Sequence, residues 1–227
     1  MVCLMKVSEA VKTRISCRSF LEKPVPETHL RKIIEIASLS PSGGNLQPWN
    51  LYVLTGKPLD DLKKKVKSRL LIQPKGLEPQ YNIYPPNLKQ KYAERRFKCG
   101  EDLYRKLKIK RNDRQARRNQ FAKNFEFFGA PVGLFLYTDK SMGPPQWSDL
   151  GIFIQTIMLQ SREMGLHTCA QEAWAIWYKL LQDYLKPPVE QMLFCGIALG
   201  YLDEKAAINQ LRTEREKVEN FTVFLGF

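Results

Sequence analysis

Two arginines flanking a hydroxyl are the first residues along the chain whose types and spacing suit chemistry. Arg14, Ser16 and Arg18 alternate within RISCRSF, residues 14–20, and alternation along an extended segment places all three on one side. Two guanidiniums and a hydroxyl suit a phosphate and a neighbouring carbonyl-rich ring, because the guanidinium fork donates to two oxygens at once. A second cluster is PSGGN (41–45), with Pro41, Ser42, Gly43 and Asn45. Its paired glycines permit close backbone approach, and the Asn45 amide both donates and accepts. The third is RTER (212–215), with Arg212 and Arg215. Singly, each also reads as a solvated surface feature; their order along the chain is what distinguishes them.

Other chemistries find little support. No G-x-G-x-x-G follows a strand, and TGKP (55–58) lacks the upstream glycine and the Ser/Thr of a phosphate-binding loop. Cys17 has no histidine at motif spacing, which leaves a Cys–His nucleophile unsupported. Five cysteines (Cys3, Cys17, Cys99, Cys169, Cys195) form no C-x-x-C pair, and His29 and His167 are the sole imidazoles. Neither a disulfide framework nor a metal site is expected from that spacing, and a reduced, cytoplasmic compartment fits.

The elements that must position these clusters are partly readable. Ser8 is placed to cap a first helix, and Thr28 a second in which Leu30, Ile33, Ile34 and Ala37 recur at helical spacing. SPSGGNLQPW (40–49) is a loop, LYVLTG (51–56) a strand ending in a turn, and 73–90 a long surface connection. Charged helices are expected from about Leu88 to Asn124. APVGLFLYTD (130–139) and MLFCGIALGYL (192–202) read as buried strands, and HTCAQEAW (167–174) as a short strand leading into a loop. Ser148 or Asp149 would cap a long helix to Met164, with Gly165 closing it. That helix is apolar nearly all round, which predicts burial in the core or at a subunit interface. The apolar tail 217–227 is expected to dock on something. No repeat or linker interrupts the chain, so residues 1–227 are read as one domain.

With 44% hydrophobic and 26% charged residues, the 227-residue chain falls in the globular range. It has no apolar run long enough for a membrane span, and the apolar run at its start is too short for a secretory signal. The net charge of +13 is concentrated: residues 57–118 hold 20 Lys/Arg against 7 Asp/Glu, and the rest holds 16 of each. Aromatics lie among these cations, so a nucleic-acid surface is one reading. The plainer one is a solvated helical face whose positive field attracts phosphate-bearing cofactors.

The order of motifs resembles the nitroreductase family over nearly the whole chain. The residues that carry it are RISCR (14–18), KPVPETHLRKIIEIASLSPSGGNLQPW (23–49), GLHTCAQEAW (165–174), CGIALGY (195–201) and RTER (212–215). Segments 124–137, 143–151 and 192–201 are similar to the nitrobenzoate and nitrobenzene reductase subgroup. The resemblance implies an α+β fold: a three-layer α/β/α arrangement with a mostly antiparallel central sheet and a C-terminal segment extending onto a partner subunit. It implies a homodimer with FMN at the interface, taking hydride from NADH or NADPH through flavin N5 to a small aromatic acceptor in ping-pong fashion. Arg14 and Ser16 would hold the FMN phosphate and ribityl chain, and Arg18 would sit near N1 and O2 of the ring. Pro41, Ser42, Gly43 and Asn45 would reach the other subunit's flavin. The backbone around Gln171, Glu172 and Ala173 would pass the ring, and Arg212 and Arg215 would complete the phosphate clamp. No fixed acid–base side chain is required, since the cofactor carries the chemistry. Trp147, Phe127, Phe128 and aromatics of 81–104 are candidates for the pocket wall, or for the core. Reductive dehalogenation on the same flavin scaffold, flavin storage, and a basic nucleic-acid-binding protein using 57–118 are the alternative functions.

Overall fold

The computed structural model describes residues 5–227; Cys3 and the first residues of the N-terminal apolar run lie outside them. In chain order the main elements are α1 (Val7–Thr13), α2 (Glu27–Ala37), β1 (Asn50–Thr55), α3 (Gly56–Ile72), α4 (Gln90–Lys106), α5 (Arg114–Ala122), β2 (Val132–Asp139), α6 (Pro144–Glu163), β3 (His167–Gln171), α7 (Tyr178–Leu185) and β4 (Gln191–Gly200). The strands form one sheet in the order β1-β2-β4-β3, antiparallel at every pairing.

The central strands β2 and β4 are apolar without alternation because both of their faces are covered. On one face Leu54, Phe135 and Ala198 meet Leu59, Leu62 and Val66 of α3, together with Trp174 and Trp177. On the other, Leu134, Leu136 and Ile197 meet Ile33 of α2 and Phe153 and Ile157 of α6. Helices on both sides of an antiparallel sheet give the three layers expected. Gly196 is needed for this packing, since a Cβ there would collide with the buried Trp174 indole.

Helix starts differ from the expectation, for a common reason. Residues outside the hydroxyl and carboxylate capping set begin them: Lys6 before α1, Pro26 before α2 and Gly143 before α6. Ser8, Thr28, Ser148 and Asp149 therefore lie inside their helices rather than at the caps. Pro144 and Pro145 fit the first turn of α6, where no amide hydrogen has an intrahelical partner. β1 does not end in a free turn either: Gly56, at φ 52°, passes straight into α3. The stop at Gly165 is as expected. It adopts φ 70°, and Leu166 N donates to Ser161 O at 2.8 Å, closing the helix in a Schellman motif.

Two apolar surfaces are left uncovered by the chain itself. α6 buries one side only, and Ile152 on the other side is exposed. The tail is exposed at Val223, Phe224, Leu225 and Phe227, so the expected docking does not occur on its own chain. No helix among the described residues is long and apolar enough to cross a membrane.

Candidate functional site

α1 ends at Thr13, and Arg14 turns the backbone into an extended run (φ −64°, ψ 126°). Ile15 and Cys17 point inward and are buried, which leaves Arg14, Ser16 and Arg18 half-buried on the opposite side. The run is held against β3: Ser16 bridges Thr168 in parallel, and Cys17 N donates to Thr168 O at 2.9 Å. Asn209, itself buried, ties in the C-terminal segment. Its Oδ1 accepts from Arg18 N at 2.8 Å, its Nδ2 donates to Ser19 O at 2.8 Å, and its carbonyl accepts from Arg212 Nη1 at 2.8 Å. Arg14, Ser16, Arg18 and Arg212 thus gather at one three-way junction.

The electrostatics agree with that grouping. Burial pushes the Cys169 thiol up to about 11, against the opposing pull of Arg18 and Arg14. Burial, then Arg162 and Arg212, holds His167 down at about 4. Among the described residues, none of Arg14, Arg18, Arg212 and Arg215 has a carboxylate within ion-pair distance. A half-buried guanidinium without a counter-charge favours an anion, above all one with paired oxygens. Arg215 is placed differently from Arg212. Its guanidinium folds onto Thr213 and Glu214 of its own exposed loop, and the flanking Glu214 and Glu216 pair with Lys98 and Arg95 of α4.

At the far end of β3, Gln171 is buried, and its Nε2 donates to Asn124 O at 2.7 Å. Its Oε1 has no partner, and neither has Nδ1 of His167. Glu172, exposed, opens the turn Glu172–Trp177. Beside it lies an aromatic cluster: Tyr81 and Trp147 at 5.8 Å between ring centroids, Trp147 and Phe194 at 6.2 Å. The Tyr81 hydroxyl donates to Phe194 O. Burial raises its pKa, as do Cys195 and Glu172 nearby. Trp147 therefore stands where a pocket wall is wanted, whereas Phe127 and Phe128 are buried in the core.

The 41–45 loop is elsewhere. Gly43 N donates to Asp149 Oδ2 at 3.2 Å, and Ser40 Oγ donates to Thr156 Oγ1 at 2.9 Å, which pins it to α6 at both Asp149 and Thr156. Ser42 Oγ accepts from Gln47 N at 2.9 Å, and Gly44 and Asn45 take left-handed conformations (φ 58° and 54°). Pro41, Gly43 and Asn45 are exposed. Thr13, one residue before Arg14, instead accepts from Arg162 Nε at 3.3 Å. Asp149 and Arg162 lie about 20 Å apart along α6 at the standard helical rise. The loop is thus anchored on α6 at Asp149 and Thr156, and the residue before Arg14 at Arg162, so the two meet the helix at different points.

Three residues in this arrangement were not read from the sequence: Asn209, Asp149 and His167. Only His167, one of two histidines, carries any sequence signal. The junction fits a phosphate-bearing cofactor, having unpaired guanidiniums, the Ser16 hydroxyl, and orphaned polar atoms on His167 and Gln171 along the same strand. Among the described residues, no group of three His, Cys, Asp or Glu side chains is placed to hold a metal ion.

Residues 11–201 match the Nitroreductase family. The 4-nitrobenzoate reductase of Pseudomonas putida is 40% identical over 220 residues, covering 96% of this chain and 94% of that protein. The solved structure of an FMN and NADPH-dependent nitroreductase from sphigopyxis sp. strain HMH superposes with a TM-score of 0.95 at 41% identity, over 98% of this chain and 100% of the other. An FMN-dependent nitroreductase of Mycobacterium smegmatis, solved in complex with NADPH, gives 0.91 at 27% identity, over 96% and 97% of the two chains.

Proposed function

The chain belongs to the nitroreductase family, and from that premise we propose that residues 1–227 form one FMN-binding domain of a homodimeric oxidoreductase that reduces a nitroaromatic with NADPH or NADH. FMN, held by Arg14, Ser16, Arg18 and Arg212, would supply the hydride chemistry between nicotinamide and acceptor, in two half-reactions at one pocket. The observation that carries this reading is the trio Arg14, Arg18 and Arg212, gathered at one junction with no carboxylate among them.

The chain's own residues bind, orient and exclude water. Arg14 and Arg212 hold the phosphate, and Ser16 Oγ reaches the ribityl chain. Arg18 sets a fixed positive charge toward N1 and O2 of the ring. The backbone at Gln171 and Glu172 runs alongside the ring, and Tyr81, Trp147 and Phe194 form an apolar wall at that end. The Arg212 and Arg215 guanidiniums both donate to carbonyls of their own loop, but Arg212 reaches Asn209, which also holds Arg18, whereas Arg215 reaches Thr213 and Glu214 alone and is the weaker candidate for phosphate. The exposure of Pro41, Gly43 and Asn45 supports a partner-directed role for Pro41, Ser42, Gly43 and Asn45. The open side of α6 and the exposed tail give the partner apolar surface to cover. Cys17, Cys99, Cys169 and Cys195 are free thiols, which supports a reducing, cytoplasmic setting.

FMN titration of the apoprotein tests the reading. Arg14→Ala and Arg212→Ala should weaken binding markedly, with Arg215→Ala close to wild type; equal affinity in all of them contradicts the assignment. In dimers mixed between wild-type and Asn45→Ala chains, the defect should fall on the flavin held by the wild-type junction.

A further inference from the structure

A cavity lies away from the flavin junction, in the basic segment. It has a volume of about 780 Å³ and opens between α3 and α5, a size within the range of small-molecule sites. Its lining joins two kinds of side chain that surfaces normally keep apart. The apolar part includes Leu70, Leu71, Phe121 and Phe125, of which Leu71 is 86% and Phe121 43% exposed. The charged part includes Lys67, Arg118 and Lys123, none of which has a carboxylate within ion-pair distance among the described residues.

The rest of the segment makes that combination distinctive. Arg117, also at the cavity, is held bidentately by Glu101 and lies 4.1 Å over the Tyr104 ring. Lys63 is partly desolvated, and its nearest carboxylate is Asp60 at 3.8 Å. Glu126 is the one acid in the lining, so the cations outnumber it and several lack a partner. An apolar floor with unneutralised cations at its mouth complements a ligand that has an apolar body and an anionic head. The cavity is also separate from the junction: the buried rings of Phe125 and Trp174 pack edge to face at 5.3 Å between cavity and sheet.

We propose that this cavity is a second binding site, for a small organic anion with an aromatic body, such as an aromatic carboxylate or sulfonate. The aromatic body packs on Phe121, Leu71 and Phe125, and the head group is met by Lys67, Arg118 and Lys123. The proposal does not rest on the flavin assignment, and its test reads both separately.

The test uses FMN-loaded protein, with anilinonaphthalene sulfonate as the fluorescent probe and visible absorbance reporting flavin content in the same sample. One probe should bind per chain. The double variant Lys67→Glu, Arg118→Glu should weaken that binding by about tenfold or more, with flavin content unchanged, because both side chains are exposed and neither belongs to the flavin junction. Naphthoate should displace the probe and uncharged naphthol should not. Probe binding that is unchanged in the variant, or displaced equally by naphthol, overturns the proposal, as does an absence of binding.

Discussion

The junction at Arg14, Arg18 and Arg212 and the helix α4 are both rich in cations, yet they treat them in opposite ways. On α4 and its surroundings the positive charge is largely answered from within. Lys98 and Arg105 share Asp102, Arg95 pairs with Glu216, and Arg117 with Glu101. The aromatic faces are answered as well: Arg96 lies 3.8 Å over Tyr84 and Arg111 4.9 Å over Phe97. Rings already covered by the chain's own cations are poor platforms for stacking bases, which weighs against a nucleic-acid surface. At the junction far fewer cations are present, but Arg14 and Arg18 are half-buried, the guanidiniums of Arg18 and Arg212 are braced by backbone carbonyls, and none of the three has a carboxylate within ion-pair distance among the described residues. The net charge of +13 therefore does not by itself locate the flavin junction. Unanswered charge in a braced setting is the better guide to a ligand.

The largest expected effect separates the two regions directly. Removing the charged contact in Arg14→Ala should cost FMN binding about 1.5–3 kcal/mol, roughly a ten- to hundredfold rise in Kd. Flavin titration measures it, and wild-type affinity in that variant would erase the distinction. Glycine replacements probe the platforms beneath. Gly196 lies opposite Gln171 across the β3–β4 pairing, and a Cβ there meets Trp174. Gly196→Ala should destabilise the fold by about 1–3 kcal/mol through overpacking, seen as a lower urea midpoint. Gly100, in α4, has nothing within 4 Å of a Cβ, so Gly100→Ala should stabilise by about 0.5–1 kcal/mol.

A pH effect of intermediate size belongs to the junction alone. His167 is held at about 4 in the folded chain, below its ordinary 6.5. The unfolded chain therefore binds the extra proton first as pH falls, and stability present above pH 6.5 is lost progressively toward about 4. His167→Gln should lose less stability than wild type across that window when denaturation midpoints are compared. Parallel curves would show that His167 does not titrate as placed. The smallest expected effect is a null: Arg96→Ala, which uncovers Tyr84, should leave FMN affinity unchanged.

What could be read from the sequence follows from which residues obey local rules. The alternation of Arg14, Ser16 and Arg18 was legible because Ile15 and Cys17 keep the period of two by burying themselves against β3. β2 and β4 were legible as unbroken apolar runs. The starts of α1, α2 and α6 were not, because Lys6, Pro26 and Gly143 precede them without side-chain caps, and α2 and α6 are held by packing on the sheet and α1 by packing on α6. Asn209 and Asp149 escaped notice for another reason. Asn209 acts on Arg18 and Ser19 from far along the chain, and Asp149 holds Gly43 from inside a helix. Neither contact leaves a trace in local spacing. The motif order did what periodicity does not, since it carried the 41–45 loop and the RTER arginines together with residues 14–18 before any of them had a place in space.

Flavin-dependent turnover is tested most directly by an absorbance spectrum of the purified protein, followed by anaerobic addition of NADPH or NADH and then of a nitroaromatic. A flavin spectrum that bleaches with the nicotinamide and returns with the acceptor is expected. A colourless protein that takes up no added FMN and oxidises no nicotinamide would contradict it.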